Sequence, residues 1–521
     1  MKLTPGFNLP MPVLGMTLNV TQTIVATVLA CVLGISAAAA QTPPKMKMTT
    51  DIPPQITTPD SVETRLGTLK FFDGFPDKDT TEKLYDNLAF SRGVEAFLAG
   101  VPAASLVAMR EGLHKLGAGN DTVVIFETMM DSKSLWLTAN TDSIYYFTWL
   151  DLHDGPMVME TSPNVLGMLD DFWFKYIIDI GNAGPDKGKG GKFLVLPPDY
   201  KGDVPEGYFV ARSRTFGVWM FSRGLKVKGD PKPAVESIKK TTRIYPLAQA
   251  KNPPPTKFIN VSNSVHNTIH ANDFHFYEEL NQIVQEEPAE SSDPETLGLF
   301  ASIGIQKGKP FAPDDRMKKI LTEAAAVGNA TSRAMVFQTR LDGAYFYPNS
   351  AWCTPFVGGN YEFLLEPGVR NLDARVFMHY YATGITPAMA IKRVGVGSQY
   401  AAAFVDADKN PLDGSKSYKL HLPSGIPAQN FWSITVYDNQ TRSMLQTDQQ
   451  FPSVSSESKS VVTNPDTSAD VYFGPTSPAG HEGNWVQTVP GKGWNTLLRL
   501  YGPGQSWFDK TWQPGEIELV K

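Results

Sequence analysis

Cysteine is almost missing: there are two in 521 residues, Cys31 and Cys353. A chain of this length closes large cores without disulfide staples, so packing must hold the fold. Charge is also sparse, at 19% of residues, with 47 Lys+Arg against 53 Asp+Glu and a net charge of −6. No basic field exists to favour nucleic acid. Low charge beside 42% apolar residues excludes a disordered chain. No internal repeat is present, and the 43 Gly and 40 Pro follow no period, which excludes collagen and points to the many turns of a β-rich fold. No Gly-x-Ser-x-Gly elbow occurs, which disfavours an ordinary α/β-hydrolase. The Lys/Gly-rich stretch Gly184–Lys192 lacks the Walker glycine spacing and the following Ser/Thr. Asp406-Ala407-Asp408 begins like a calcium loop but meets Pro411 and Ser417 where Gly and Glu are needed. Thus no nucleotide or organic cofactor motif is found, and the length predicts two or three domains.

A long apolar stretch lies near the start. Ile24–Ile35 has the length of a signal-peptide core and falls short of the roughly 20 residues of a membrane span. Ala38-Ala39-Ala40 supplies small residues for a signal peptidase. The expectation is a signal peptide over 1–40, cleavage near Ala40, a periplasmic or secreted chain, and no membrane span in the mature protein. A rival reading lipidates Cys31, since Val28-Leu29-Ala30-Cys31 loosely resembles a lipoprotein box. Cleavage at Ala40 would leave Cys353 alone, so no intramolecular disulfide could form.

Residues 41–75 read as a flexible Thr/Pro-rich leader. From 76 to 240 a β-rich module is predicted, from runs such as Val123–Phe126, Ile144–Trp149, Phe193–Leu196 and Phe216–Phe221. A loosely periodic helix begins near Thr80. Residues 241–395 read as a helical connecting region: Phe276, Leu280 and Ile283 share a face, Asp314 caps a second helix, and Leu372–Tyr381 makes a third. From 396 to 521 strands return. Trp432, Ile434 and Val436 lie on one face, and Phe431, Ser433, Thr435 and Tyr437 on the other. The expected class is mainly β with a helical middle segment (α+β), as two β-sandwich or jelly-roll-like modules.

Two groups of residues carry a family resemblance. Asn140-Thr141-Asp142-Ser143-Ile144-Tyr145, with Asp151-Leu152 and Gly155-Pro156, resembles domain of unknown function 1254. Asn430–Asp438, Tyr472-Phe473-Gly474-Pro475, Asn484-Trp485, Pro490–Trp494 and Leu500–Pro503 resemble its partner, domain of unknown function 1214. The resemblance implies a bacterial, often exported protein of β-sandwich modules. It implies no reaction.

Polar residues embedded in aromatic strands are the candidates for function. Asn140, Asp142, Tyr145 and Tyr146 cluster at one strand start; Tyr437, Asp438 and Arg442 cluster at another strand end. Arg499 lies mid-strand beside Leu497 and Tyr501, and a buried guanidinium needs a partner. Asp438 is the first choice of partner and Asp142 the second. A structural ion pair competes with an aromatic-walled ligand site to which Trp485 is added. That site suits a sugar-like, aromatic or lipidic small molecule, with Asp142 or Asp438 as base and Arg499 as anion holder if it hydrolyses its ligand. The rival is a structural or interaction protein of the cell envelope. His266 and His270 are weak metal candidates, because Asp273 reads as a helix cap and leaves both before the helix. Cys353 reads as a buried structural thiol. Oligomerisation is left open.

Overall fold

The computed structural model describes residues 46–366 and 368–520. The signal-peptide expectation, Cys31 and the cleavage near Ala40 lie outside the described residues. Two compact units divide between Pro76 and Asp77. In the first, Ser61–Thr64, Gly67–Phe72 and Phe75–Pro76 form an antiparallel three-stranded sheet. Part of the stretch expected as a flexible leader through residue 75 is therefore paired strand. Gly67 and Gly74 supply the left-handed backbone its turns need, at φ 86° and 82°.

The second unit is α+β. It opens on α1 (Lys78–Lys115), whose cap is Asp77, accepting from Thr80 N at 2.7 Å. The module expected as β-rich from residue 76 thus starts with a 38-residue helix. Its periodicity is loose because small residues replace large apolar ones where neighbours press close. A Cβ on Gly93 would stand 2.7 Å from Ala324, and one on Gly112 2.6 Å from the Asn267 carbonyl. α1 is long and apolar enough to cross a membrane, yet 72% of its apolar window is buried inside the fold. Next come α2 (Lys232–Thr241), α3 (His275–Glu286), α4 (Pro294–Ala301), α5 (Asp315–Phe337) and α6 (Leu372–Tyr381). α1 packs against α3, α4, α5 and α6.

The N-terminal sandwich has a six-stranded sheet, in the order Lys257–Asn260, Thr122–Ile125, Ser143–Asp151, Gly217–Leu225, Val165–Asp171, Tyr176–Gly181. Its partner sheet runs Phe209–Arg212, Lys192–Leu196, Met157–Glu160, Arg243–Pro246. Two strands from the region expected to be helical, Arg243–Pro246 and Lys257–Asn260, thereby complete these sheets. The strand Ser143–Asp151 is buried on both faces. Ile144, Tyr146 and Leu150 fill the sandwich, while Tyr145, Phe147 and Trp149 face a core shared with the helices.

The C-terminal sandwich pairs Ser398–Ala403, Trp494–Pro503, Ala428–Asp438 and Ser453–Ser455 with a second sheet of Trp485–Gln487, Ala469–Gly474, Tyr418–Leu422 and Ile517–Leu519. Leu498, Leu500, Ile434 and Val436 fill its interior. Tyr400, Tyr437 and Leu497, on the outward face, join the same core as Tyr145 and Phe147. The two sandwiches and the helices therefore share one buried region, and the candidate site lies in it.

Candidate functional site

Arg499 stands mid-strand, with Tyr400 opposite on one side and Ser433 on the other. It is 2% exposed. Its Nη1 donates to Thr435 Oγ1 at 3.1 Å and its Nη2 to the Thr138 carbonyl at 2.5 Å. The guanidinium also lies 5.6 Å from the Tyr437 ring and 6.0 Å from the Tyr400 ring. Asp438, the expected partner, is elsewhere. It faces Trp494, five positions along the strand from Ser433, and an odd offset turns its side chain to the other face. It pairs with Lys492 and accepts from Gln440 N at 2.6 Å.

The facing wall comes from the N-terminal sandwich. Register places Arg223 beside Tyr145 on the helix-facing side of the six-stranded sheet. Arg223 is 3% exposed, donates to Ser398 Oγ at 3.2 Å and lies 5.7 Å from the Tyr501 ring; its Nε has no partner. Among the described residues neither Arg223 nor Arg499 has a carboxylate at ion-pair distance. Between them lies a cavity of about 40 Å³, walled by Trp136, Phe147, Phe221 and Phe356. Tyr145 presents its hydroxyl there. That oxygen accepts from Asn140 Nδ2 at 2.6 Å and Asn140 N at 3.3 Å, which leaves its proton free to donate. Thr383, also on the wall, has a buried hydroxyl without a partner. Thr138 holds a left-handed backbone, φ 46°, a strained conformation for a β-branched residue.

The electrostatics follow from burial and from these two cations. Burial opposes the charge of Arg499, but the surrounding oxygens of Tyr437, Tyr501, Tyr145 and Tyr400 outweigh it and the guanidinium stays charged. Burial alone would raise the Tyr400 phenol; the charge of Arg223, hydrogen bonds from Ser398 and Arg223, and the charge of Arg499 bring it below its ordinary value. A smaller chamber continues past Arg223 to Asp179 and Ser398. Burial pushes the Asp179 carboxyl up to about 6, against a hydrogen bond from Thr386. Asp179 is thus the group here able to exchange a proton near neutral pH.

Of the residues singled out from sequence, Asn140, Tyr145 and Arg499 line the cavity. Tyr437 supports Arg499 from beneath and donates to the Ala139 carbonyl at 2.6 Å. Asp142 lies close enough for its charge to act on Tyr501 and to feel Arg499, but burial raises its pKa and it does not line the cavity. The others are brought elsewhere. Tyr146 points into the sandwich interior because it alternates with Tyr145. Arg442 stacks 4.1 Å from the Tyr380 ring and donates to the Tyr380 and Gln440 carbonyls, both at 3.0 Å. Trp485 sits on the outer C-terminal sheet and donates to the Gly474 carbonyl. His266 accepts from Trp136 Nε1 at 2.5 Å and meets Ser264 through Nδ1, so both ring nitrogens are engaged. His270 is buried, and burial with the Arg442 charge pushes it down to about 3. Among the described residues no group of three potential ligands gathers for a metal. Arg223, Tyr400 and Asp179 were not singled out. Arg223 carried a usable signal, being a charge inside the aromatic strand Gly217–Leu225 just as Arg499 is inside Trp494–Pro503.

Residues 121–246 match the family model described as a protein of unknown function, DUF1254, and residues 397–505 match the one described as DUF1214. The chain belongs to this two-domain family. The cavity is therefore built where the two family domains meet, with Arg223 from the first and Tyr400 and Arg499 from the second. Among solved structures, the VPA0106 protein from Vibrio parahaemolyticus is similar at 16% identity over 83% of this chain and 100% of its own, with a TM-score of 0.52. An uncharacterized protein from Burkholderia cenocepacia aligns at 12% identity over 85% of this chain and 97% of its own, with a TM-score of 0.37. No curated protein matches the chain.

Proposed function

We propose that the chain binds a small anion, a carboxylate of few non-hydrogen atoms, in the cavity between the two family domains. One observation carries this reading: two buried guanidiniums border a single cavity and neither has a carboxylate partner among the described residues. A buried cation left without counter-charge costs several kcal/mol, and ring faces and hydroxyls supply only part of the compensation. An incoming carboxylate would meet Arg499, Arg223 and the free Tyr145 proton, and planar oxygens suit the guanidinium fork. The volume of about 40 Å³ narrows the sugar-like, aromatic or lipidic ligands expected from sequence, since one water needs roughly 10–15 Å³.

The test is a thermal-shift and calorimetric series with formate, acetate and benzoate on the full chain. Small carboxylates should raise the melting temperature, and the gain should vanish in both Arg223→Met and Arg499→Met. No gain with any small anion, or a gain that survives in both variants, would favour the alternative of a structural protein of the envelope. We also propose export, supported by the apolar run before Ala38-Ala39-Ala40. Mass spectrometry of the mature chain should then find Gln41 at its N-terminus, and an intact Met1 would refute it.

A further inference from the structure

A second site is built on a neighbouring stripe of α6. Arg375 and His379 are one helical turn apart and line a cleft of about 180 Å³. Lys175, Arg214 and Arg370 also line it, against Asp293 and Glu362, so cations outnumber carboxylates there by two. Arg214 is committed to Asp171 at 2.9 Å, and Arg370 donates to the Glu362 carbonyl. Asp293 caps α4, accepting from Thr296 N and Oγ1, both at 2.8 Å. Arg375 has no such commitment: it forms no ion pair among the described residues, and its buried Nε lacks a partner. The buried Nδ1 of His379 lacks one too. Burial, with the Arg375 and Arg370 charges, pushes this imidazole down to about 3, so it stays neutral. Its ring is held between Phe174 and Phe363, with centroids 4.8 and 5.6 Å away. Both phenylalanines have left-handed backbones, φ 59° and 55°, strain that only the surrounding packing can maintain.

The cleft does not end at the arginines. Arg370, Arg375, Asp293, Thr296 and Ala99 also border an adjoining groove of about 660 Å³, within the size range of small-molecule sites. Its floor is apolar, made by Val94 and Leu98 of α1, Leu299 of α4, Met335 of α5 and Val376 of α6. Glu95, Glu295 and Asp373 stand along its sides. The arrangement is polar and cationic at the closed end, apolar along the groove and acidic at the sides. A bare anion would leave the groove unfilled; a neutral oil would leave Arg375 unpaired.

We propose that the cleft and groove together bind an amphipathic anion, with a carboxylate or phosphate head at Arg375 and an unbranched apolar tail over Leu98, Leu299, Met335 and Val376. The site does not depend on the cavity between the domains. The acidic sides would repel a second charge along the tail, which favours a head-charged molecule over an anionic polymer.

Titration calorimetry of the full chain with dodecanoate, below its micelle concentration, tests this. Dodecyl phosphate, dodecanol and acetate are run in parallel. Dodecanoate or dodecyl phosphate should bind at least tenfold more tightly than dodecanol, and acetate should not compete for this site. Whichever of the two charged heads binds more tightly identifies the head group. Arg375→Met should weaken the charged ligand at least tenfold, and Thr331→Trp, which fills the groove wall, should do the same by blocking the tail. Arg499→Met should leave this binding unchanged. Equal affinity for dodecanoate and dodecanol, loss of binding in Arg499→Met alone, or full binding in both Arg375→Met and Thr331→Trp would overturn the proposal. Circular dichroism melts of each variant exclude a folding defect as the cause.

Discussion

The cavity between the domains and the cleft beside it both present arginine to empty space, but they hold the charge differently. In the cavity, Arg223 and Arg499 are enclosed by aromatic walls and contacted by hydroxyls, a carbonyl and ring faces, with the Arg223 Nε left without a partner. In the cleft, Arg375 and Arg370 lie at the head of an open apolar groove. Tyrosine oxygens keep Arg499 charged despite burial, whereas burial and the neighbouring Arg370 push Arg375 down to about 10. Tyrosine oxygens replace part of the lost water of Arg499, whereas Arg375 faces Arg370 as well as Asp293, and none of these three buried or half-buried arginines, Arg223, Arg375 and Arg499, has a carboxylate at ion-pair distance among the described residues.

The closed and open characters of the two sites are separated most sharply by truncating a wall residue of each. Phe147→Ala, at the enclosed cavity, should cost about 3–5 kcal/mol of stability. Leu98→Ala, at the half-buried groove, should cost about 1 kcal/mol or less. Denaturant melts read both, and equal losses would break the contrast.

Arg499→Met comes next. It strips the Thr138 carbonyl and Thr435 hydroxyl of their donor, at about 1–3 kcal/mol. Its effect should add to that of Asp438→Asn within about 0.5 kcal/mol, since they share no partner, but couple to Tyr400→Phe by about 0.5–3 kcal/mol. Coupling to Asp438 would contradict the strand register.

The dependence on pH is smaller and has a definite sign. Burial raises Asp179 to about 6, Glu287 to about 7 and Glu279 to about 8, from ordinary values of 3.8, 4.5 and 4.5. Across that window the folded chain holds protons that the unfolded chain has released. Their contribution is therefore greatest below about pH 4 and falls as pH rises toward 8. Below about pH 6.5 the buried neutral histidines His266, His270 and His379, pushed down to about 4, 3 and 3, work the other way. Melting temperatures should therefore decline between about pH 6.5 and 8.5, and Asp179→Asn should remove the downward contribution of Asp179 below about pH 6. A melting temperature that rises across this range would show these carboxyls to be ionised in the fold.

The smallest effects are expected from Arg375 and from the redox conditions. Arg375→Met should shift stability by less than about 0.5 kcal/mol, because no buried partner is orphaned. Reductant should not move the melting temperature at all. Cys353 is buried, with its thiol pushed up to about 12 by burial, and thiol reagents should label it only on unfolding.

Local pattern alone determined much of this molecule. The period-2 alternation around Trp432 and Arg499 already placed Arg499 on the face with Leu497 and Tyr501, opposite Leu498 and Leu500, and the structure keeps that division. The family, the α+β class and the helices at 275–286, 315–337 and 372–381 were legible for the same reason: they depend on residues close in the chain. What neighbours along the chain cannot specify is register and which faces meet. The choice of Ser433 rather than Asp438 opposite Arg499 depends on how two strands slide past each other, and a one-residue slip turns every side chain over. α1 was only half visible because its stripe is made of Gly and Ala, whose role is to let α3, α5 and the chain near Asn267 come close. The meeting of Arg223 with Tyr400, 177 positions later in the sequence, was decided by the docking of two sandwiches. A buried charge shows in a sequence as an oddity in an aromatic strand, but its partner is found only where tertiary packing puts one.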